Sequence, residues 1–447
     1  MMITFEYEDV DSLTAWSLNF WDLFFQGRLD EFYVYTQQNV HGAVHENCGG
    51  NYLWLLPLCV WNLPLWAVHS ASKTLLITNF FSICWTKLFW YLLQIATAYV
   101  SAKICAVITS DREKTIMTFL LVMASPEILL SVGYAGQDEI TYICLFAVSF
   151  YFFLKGCWKR CYFLMVCCVA LCPVMILPVL ALLLLKEKRI VILLLYVSGT
   201  VLPLLIFELF YRKDQAYQAA KKVNDFGRLM QGMLSGSVLQ TNWGAFSVTG
   251  IILCLIYFYC YFEQLPQERD AYHKTVTYIV ALVFAVISFG MLNDFYRMLL
   301  YVPFLVIVIM ASDQSVETNL LLFTGITYGR VFQAIGNNYP MSLNSVYVMK
   351  HSWITALCDF AGNTRYLDSI DNSVCLWSYM INLGESLDLL CLIVETCVMG
   401  AVLLLFVINR CNYRKRYGGV FSGNMMLAAY TFCMPLVMLC YYFMVLH

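Results

Sequence analysis

The sequence predicts an all-α, polytopic transmembrane helical bundle, and three observations carry that prediction. Hydrophobic residues make up 61% of the 447 positions and charged residues only 13%, about half the charged share of an ordinary soluble domain. The apolar residues fall in long runs separated by short charged connectors, which is the pattern of spanning helices. Basic clusters close several of these runs, as cytoplasmic loops do.

The apolar segments, in order, are 52–69, 75–108, 116–132, 138–154, 161–185, 190–211, 246–262, 275–291, 297–311, 318–335, 385–409 and 424–446. Most have the length of one span, and together they imply about ten crossings. In the first, Trp61-Asn62-Leu63-Pro64-Leu65-Trp66 interrupts the run. Its proline and flanking tryptophans predict a short, kinked helix near the interface. Segment 75–108 is too long for one perpendicular span, so it should tilt or run past the membrane surface. Segment 161–185 contains Cys172-Pro173 and Pro178, where a helix can break into two halves.

Charge orients the chain. Lys155, Lys159 and Arg160 follow one run, Lys186, Lys188 and Arg189 another, and Arg410, Arg414, Lys415 and Arg416 a third. All three clusters should be cytoplasmic. The first two share a side only if 161–185 enters and leaves on the same face. The stretches 133–138, 212–245 and 336–384 then fall together on the outer face. The acidic 1–51 joins them, as a loop with interfacial helices, if 52–69 is re-entrant or surface-lying, or if a spanning helix is missing upstream. No internal repeat is visible, and 1–447 reads as a single membrane domain.

Several classes are excluded. The net charge of −2 comes without a basic stripe, so no nucleic-acid partner is expected. Residues 1–51 carry eight acids and Arg28 as their one basic residue, which is not a signal peptide. Most of the nineteen cysteines lie in apolar runs, where they act as small hydrophobes. No CxxC pair brackets a metal-like loop and no Walker-type loop is present, so a zinc module and an ATP-driven pump are not indicated.

Three motifs carry candidate chemistry. Glu6-Tyr7-Glu8-Asp9-Val10-Asp11 precedes Trp16, Phe20 and Trp21, placing carboxylates at a water–membrane boundary. A carboxylate there suits a general base acting on an acceptor hydroxyl. Gly133-Tyr134-Ala135-Gly136-Gln137-Asp138-Glu139 links two spans. Its glycines allow a tight turn, and Gln137 with Asp138 offers the donors and acceptors that grasp sugar hydroxyls. The competing role for Asp138 or Glu139 is to cap the next helix. Asn293-Asp294-Phe295-Tyr296-Arg297 lies between two later spans, where an arginine fork binds phosphate. A fourth stretch, His41-Gly42-Ala43-Val44-His45-Glu46, reads as a hydrogen-bonded loop rather than a metal site, because Gly42 weakens any helix that would align the histidines.

The three motifs, in this order, resemble the GT-C class of membrane glycosyltransferases, the polyprenyl- or dolichyl-phosphate-sugar-dependent mannosyltransferases and their bacterial relatives. Asn19-Phe20-Trp21-Asp22-Leu23-Phe24, Glu31-Phe32-Tyr33 and the Trp61–Trp66 segment resemble a bacterial subgroup. The likeness covers the layout of most of 1–310. It implies a GT-C-like fold, with the active site on the outer face of a bacterial cell membrane. The first-loop acid corresponds to Asp9, or else Glu8 or Asp11. Gln137 with Asp138 or Glu139 corresponds to the glutamine turn, which is one residue tighter here than Gly-Gln-x-Asp. Tyr296 with Arg297 corresponds to the late Tyr-Arg element. Family members have a spanning helix before the first acid, so the resemblance implies one upstream of Met1, or its loss.

The expected activity is inverting transfer of a sugar from a polyprenyl-phosphate donor to an acceptor glycan or lipid. Asp9 and Asp138 are the catalytic candidates; Glu8, Asp11, Gln137, Glu139, Tyr296 and Arg297 are the binding candidates. A divalent cation fits the family, though no residue pattern specifies one. A transporter or flippase of lipid-linked or polymeric sugars is the alternative, and a surface polysaccharide polymerase or ligase a weaker one. A transporter places ionisable residues and broken helices at the bilayer midplane, often in repeated halves.

Overall fold

The computed structural model describes residues 5–38, 41, 48–72, 80–134, 136–223, 226–235, 238–241, 244–263, 266–290, 299–312, 316–336, 346–348 and 385–410. The described chain is all-α apart from two short β-ribbons. The elements run β1 (Phe5–Tyr7), α1 (Glu8–Gln26), α2 (Phe32–Gln37), α3 (Leu56–Ser72), α4 (Phe80–Thr109), α5 (Arg112–Met123) and the single turn α6 (Pro126–Ile128). They continue with α7 (Glu139–Leu154), α8 (Trp158–Leu171), α9 (Ile176–Lys186), α10 (Ile190–Tyr211), α11 (Gln215–Val223), α12 (Phe226–Ser235), β2 (Val238–Thr241) and β3 (Gly244–Ser247). The last are α13 (Val248–Phe262), α14 (Arg269–Gly290), α15 (Val302–Ala311), α16 (Val316–Gly336), β4 (Val346–Val348) and α17 (Glu385–Arg410).

Five helices among the described residues are long and apolar enough to cross a membrane: Tyr52–Ala71, Phe81–Thr109, Ile190–Tyr211, Arg269–Gly290 and Leu389–Arg410. Four shorter apolar helices, at 139–154, 173–186, 248–262 and 302–311, accompany them. From α4 to α10 and again from α13 to α17, successive helical segments alternate in direction, with α5 and α6 acting as one interrupted segment.

Contacts between segment ends define two opposite ends of this bundle. At one end, Lys114 Nζ donates to Ser312 O at 3.2 Å, Lys188 Nζ donates to Cys260 O, and Arg410 donates to the Tyr259 hydroxyl at 2.6 Å. This end gathers Arg112, Lys155, Lys159, Arg160, Lys186, Arg189 and Arg269 and is called the basic end. The other end is capped by α1–α3, the 133–138 turn, α11, α12 and both ribbons. There β1 pairs antiparallel with β4, Phe5 opposite Val348, and the Tyr211 hydroxyl donates to Leu29 O at 2.7 Å. It is called the acidic end.

Segment 161–185 breaks at Cys172, where the backbone turns extended (φ −136°, ψ 108°) before Pro173. Its two halves are antiparallel. Ser149 Oγ meets Cys161 O at 2.9 Å and Cys168 Sγ lies 3.5 Å from Tyr142 O, so α8 climbs alongside α7 nearly to the acidic end. Then α9 returns, leaving Lys186 Nζ 5.9 Å from the Trp158 ring. A continuous helix over 158–186 would separate those residues by about 42 Å.

The 30-residue α4 is about 45 Å long. Lys87 and Trp90 lie level with the 133–136 turn, so the first turns of α4 project beyond it. Helices α1 and α3 pack on that projection: Thr14 meets Thr86 at 3.0 Å, and Trp61 and Trp85 stack with centroids 4.9 Å apart. Although α3 has the length and composition of a span, these contacts set it beside the cap. The core between the ends is apolar and aromatic. Phe284 and Phe304 stack at 4.6 Å, and Phe146 meets both edge-on. In lipid such packing, rather than expulsion of water, holds helices together; each aromatic pair adds about 0.5–1.5 kcal/mol.

Candidate functional site

At the acidic end the first two motifs converge. Gln137 Nε2 donates to Asp9 Oδ2 at 2.6 Å, joining residues 128 positions apart. The turn that makes this possible is unusual. After α6 the backbone winds as a π-helical turn over Leu129–Tyr134, a rare form that occurs frequently at functional sites. The Gln137 amide then hydrogen-bonds back to Ser131 O at 3.0 Å. Gly136 takes a left-handed φ of +61°, and a Cβ there would meet Val10 Cγ2 at 2.6 Å and Trp90 at 3.0 Å. Glycine is thus required twice, for its backbone angle and for the close approach of α1.

Lys87, fully buried on α4, donates from Nζ to Gly133 O at 3.1 Å and fixes the start of the same turn. Asp11 is 1% exposed, Gln137 and Glu139 are buried, and Asp9 and Asp138 are half-buried. The acidic start of the chain is therefore not a solvated tail: α1 carries Asp11, Ser12, Thr14, Ser17 and Asn19 into the packed cap. Asp138 stands at the N-cap of α7, but its side chain makes no capping hydrogen bond. Buried Cys48 lies within electrostatic reach of Asp138; burial and that charge push its thiol above the usual range. Glu8 opens α1. Tyr296 and Arg297 lie outside the described residues, as do His45 and Glu46.

A second polar cluster joins α1, α3 and His41. Asp22 Oδ2 meets His41 Nε2 at 2.6 Å, and Asp22 Oδ1 accepts from Trp66 Nε1 at 2.8 Å. Burial raises the Asp22 carboxyl, but the hydrogen bonds from His41 and Trp66 and the nearby His41 and His69 outweigh it, leaving the group below its ordinary value. His41 is thus held by its hydrogen bond to Asp22; residues 39–40 and 42–47 on either side of it lie outside the described residues. Among the described residues no group of three or more His, Cys, Asp or Glu side chains is placed to hold a metal ion.

A third cluster lies inside the bundle, below the turn. Glu127 is 0% exposed. Its Oε2 accepts from Ser125 Oγ at 2.7 Å and its Oε1 from Thr327 Oγ1 at 2.8 Å. Arg330, also buried, stacks over the Phe289 ring at 4.4 Å, within electrostatic reach of Glu127, Tyr301 and Glu395. Glu127, Arg330 and Lys87 did not stand out as candidates in the sequence, and Asp22 did so only within the Asn19–Phe24 stretch. The signal for the first three was a charge inside an apolar run, at 116–132, 318–335 and 75–108, which is costly unless partnered.

No family model, no curated protein and no solved structure matches this chain, so its own geometry and chemistry must support any functional reading.

Proposed function

We propose that this chain is a GT-C-like membrane glycosyltransferase that moves a sugar from a polyprenyl-phosphate donor to an acceptor hydroxyl on the extracytoplasmic face. The observation that supports it is the 2.6 Å contact between Asp9 and Gln137, made where the acidic end meets the ends of the helices. By the positive-inside rule the basic end faces the cytoplasm, which assigns the acidic end to the outer face.

In the reaction, the acceptor oxygen attacks the anomeric carbon as the carbon–oxygen bond to the lipid phosphate breaks. The acceptor proton passes to Asp9, and the configuration inverts. Gln137 holds the Asp9 carboxylate in position, and Asp138 with Gln137 grips sugar hydroxyls. Glu8, Asp11 and Glu139 shape the acidic rim. Charge develops on the departing phosphate, and Arg297, with Tyr296 beside it in sequence, supplies the cation that stabilises it. The polyprenyl chain stays in lipid, against the apolar helix faces.

The test is transfer by the purified protein in lipid, from a panel of polyprenyl-phosphate sugars, beside Asp9→Asn. Wild type should release polyprenyl phosphate, and the variant should lose at least about a hundredfold of that rate. Release by both proteins alike would remove Asp9 from the mechanism. A transporter of lipid-linked sugar is the second reading, favoured by Glu127 and Arg330 buried between helices, since intramembrane charges mark translocation paths. It calls for sugar crossing the bilayer with the donor intact.

A further inference from the structure

The α8–α9 hairpin brings two basic loops, 155–160 and 186–189, to one corner of the basic end. In sequence they are separated by a whole apolar segment; in space Lys186 Nζ lies over the Trp158 ring. The corner holds Lys155, Lys159, Arg160, Lys186, Lys188 and Arg189 against the single acid Glu187, in a chain whose net charge is −2. Two of the six cations are committed. Arg189 is paired with Glu187 at 2.9 Å, and Lys188 turns inward onto Cys260 O. Lys155, Lys159, Arg160 and Lys186 are exposed, and among the described residues none of them makes an ion pair.

Aromatic rings hold three of these four cations in place. Lys155 lies 5.8 Å from the Tyr151 centroid, Arg160 5.6 Å from Phe152 and Lys186 5.9 Å from Trp158. The Trp158 ring is itself fixed by its Nε1 hydrogen bond to the Tyr196 hydroxyl at 3.1 Å. Directly toward the bundle middle from the cations, α8 and α10 expose Phe163 (66%), Ile190 (61%), Val191 (72%) and Leu194 (59%). A band of cations at an aromatic boundary, continued by a bare apolar face, matches one chemistry: a phosphodiester headgroup with acyl chains beneath it.

We propose that this corner is a binding site for an anionic phospholipid, whose phosphate lies among Lys155, Lys159, Arg160 and Lys186 and whose acyl chains follow Phe163, Ile190, Val191 and Leu194. The site is independent of the transfer chemistry proposed at the acidic end. Anionic lipid held at α8–α10 anchors the hairpin in the leaflet that carries the negative surface potential.

The experiment uses the full-length protein in micelles titrated with phosphatidylglycerol or phosphatidylcholine of identical acyl chains, with bound lipid counted by native mass spectrometry. Wild type should retain phosphatidylglycerol in preference to phosphatidylcholine. Lys159→Gln/Lys186→Gln should lower that preference about tenfold or more, while the charge-matched control Arg112→Gln/Arg269→Gln leaves it intact. Lys159→Arg/Lys186→Arg should restore it, which separates lost charge from misfolding. Equal loss in the two glutamine variants would reduce the effect to the general charge of the basic end and overturn the site. No preference in wild type would overturn it as well. Displacement of the lipid by inorganic phosphate at equal concentration would make it a site for free anions and overturn the lipid assignment.

Discussion

Replacing Gly136 with alanine puts a methyl group 2.6 Å from Val10 Cγ2 and 3.0 Å from Trp90 Cζ3, at a backbone φ of +61°. Two costs follow. A non-glycine residue in the left-handed region loses about 1–2 kcal/mol, and overpacking a tight contact costs about 1–3 kcal/mol more. Gly136→Ala should therefore destabilise the protein by about 2–5 kcal/mol and lift the start of α1 off the turn, separating Asp9 from Gln137. Val10→Ala alone removes buried methyl groups and costs about 1.5 kcal/mol. In the Gly136→Ala background the same change removes the closer of the two clashes, so the overpacking is relieved in part while the tight Trp90 contact and the backbone strain remain. The double variant should be more stable than the sum of the singles by at least about 1 kcal/mol. Equilibrium unfolding in mixed micelles, followed by tryptophan fluorescence, measures all four proteins. Additivity within about 0.5 kcal/mol would refute the packing of α1 on the turn, and with it the geometry that joins the two motifs.

Glu127→Ala strands the buried Ser125 and Thr327 hydroxyls, each at about 1–3 kcal/mol, so it should cost about 2–6 kcal/mol in the same unfolding assay; Glu127→Gln, whose carbonyl still accepts from one hydroxyl while its amide donates to the oxygen of the other, should cost less. Asp22 has a depressed carboxyl, so its contribution to stability is complete above the unfolded value of about 3.9 and lost as pH falls through the lower folded value. The thermal midpoint of wild type should fall more steeply than that of Asp22→Asn below about pH 4, and parallel curves would remove Asp22 from the account. The exposed Cys157 at the basic end should react with an impermeant thiol reagent only after lysis. A cysteine placed at Asp138, with Cys157 replaced by serine, should react in intact cells; the reverse pattern would invert the orientation proposed above.

Features set by local chemistry were legible in the sequence. Pro173 lacks the amide a continuing helix needs, and the chain breaks beside it. Segment 75–108 exceeds the bilayer, and α4 overruns the turn. Asp9 and Gln137 stood out as polar groups at the mouths of two separate apolar stretches, although only the fold brings them to 2.6 Å. Features set by distant pairing were not legible. Glu127 finds Thr327 across 200 positions, and nothing near either residue names the other. The first fifty residues were legible only in part. Their acids marked a water–membrane boundary, but not that Thr14, Ser17 and Asn62 form a hydrogen-bonded polar seam between α1, α3 and α4. The π-helical turn has no sequence signature at all.

The Cys172–Pro173 break also bears on how the chain is built. A segment that goes in and comes back adds an even number to the crossings, so the segments after it keep the sense they would have if 158–186 were absent. Were 158–186 inserted as one through-helix, every later helix would enter the membrane upside down. Arg410 would then stand opposite Lys155, and Gly290 and Leu299, the residues bracketing the Arg297 motif, opposite Asp9. The orientation of the downstream half thus hangs on a single dipeptide step that must bend during insertion, before α10, α13 and α14, against which its two halves finally pack, have been made.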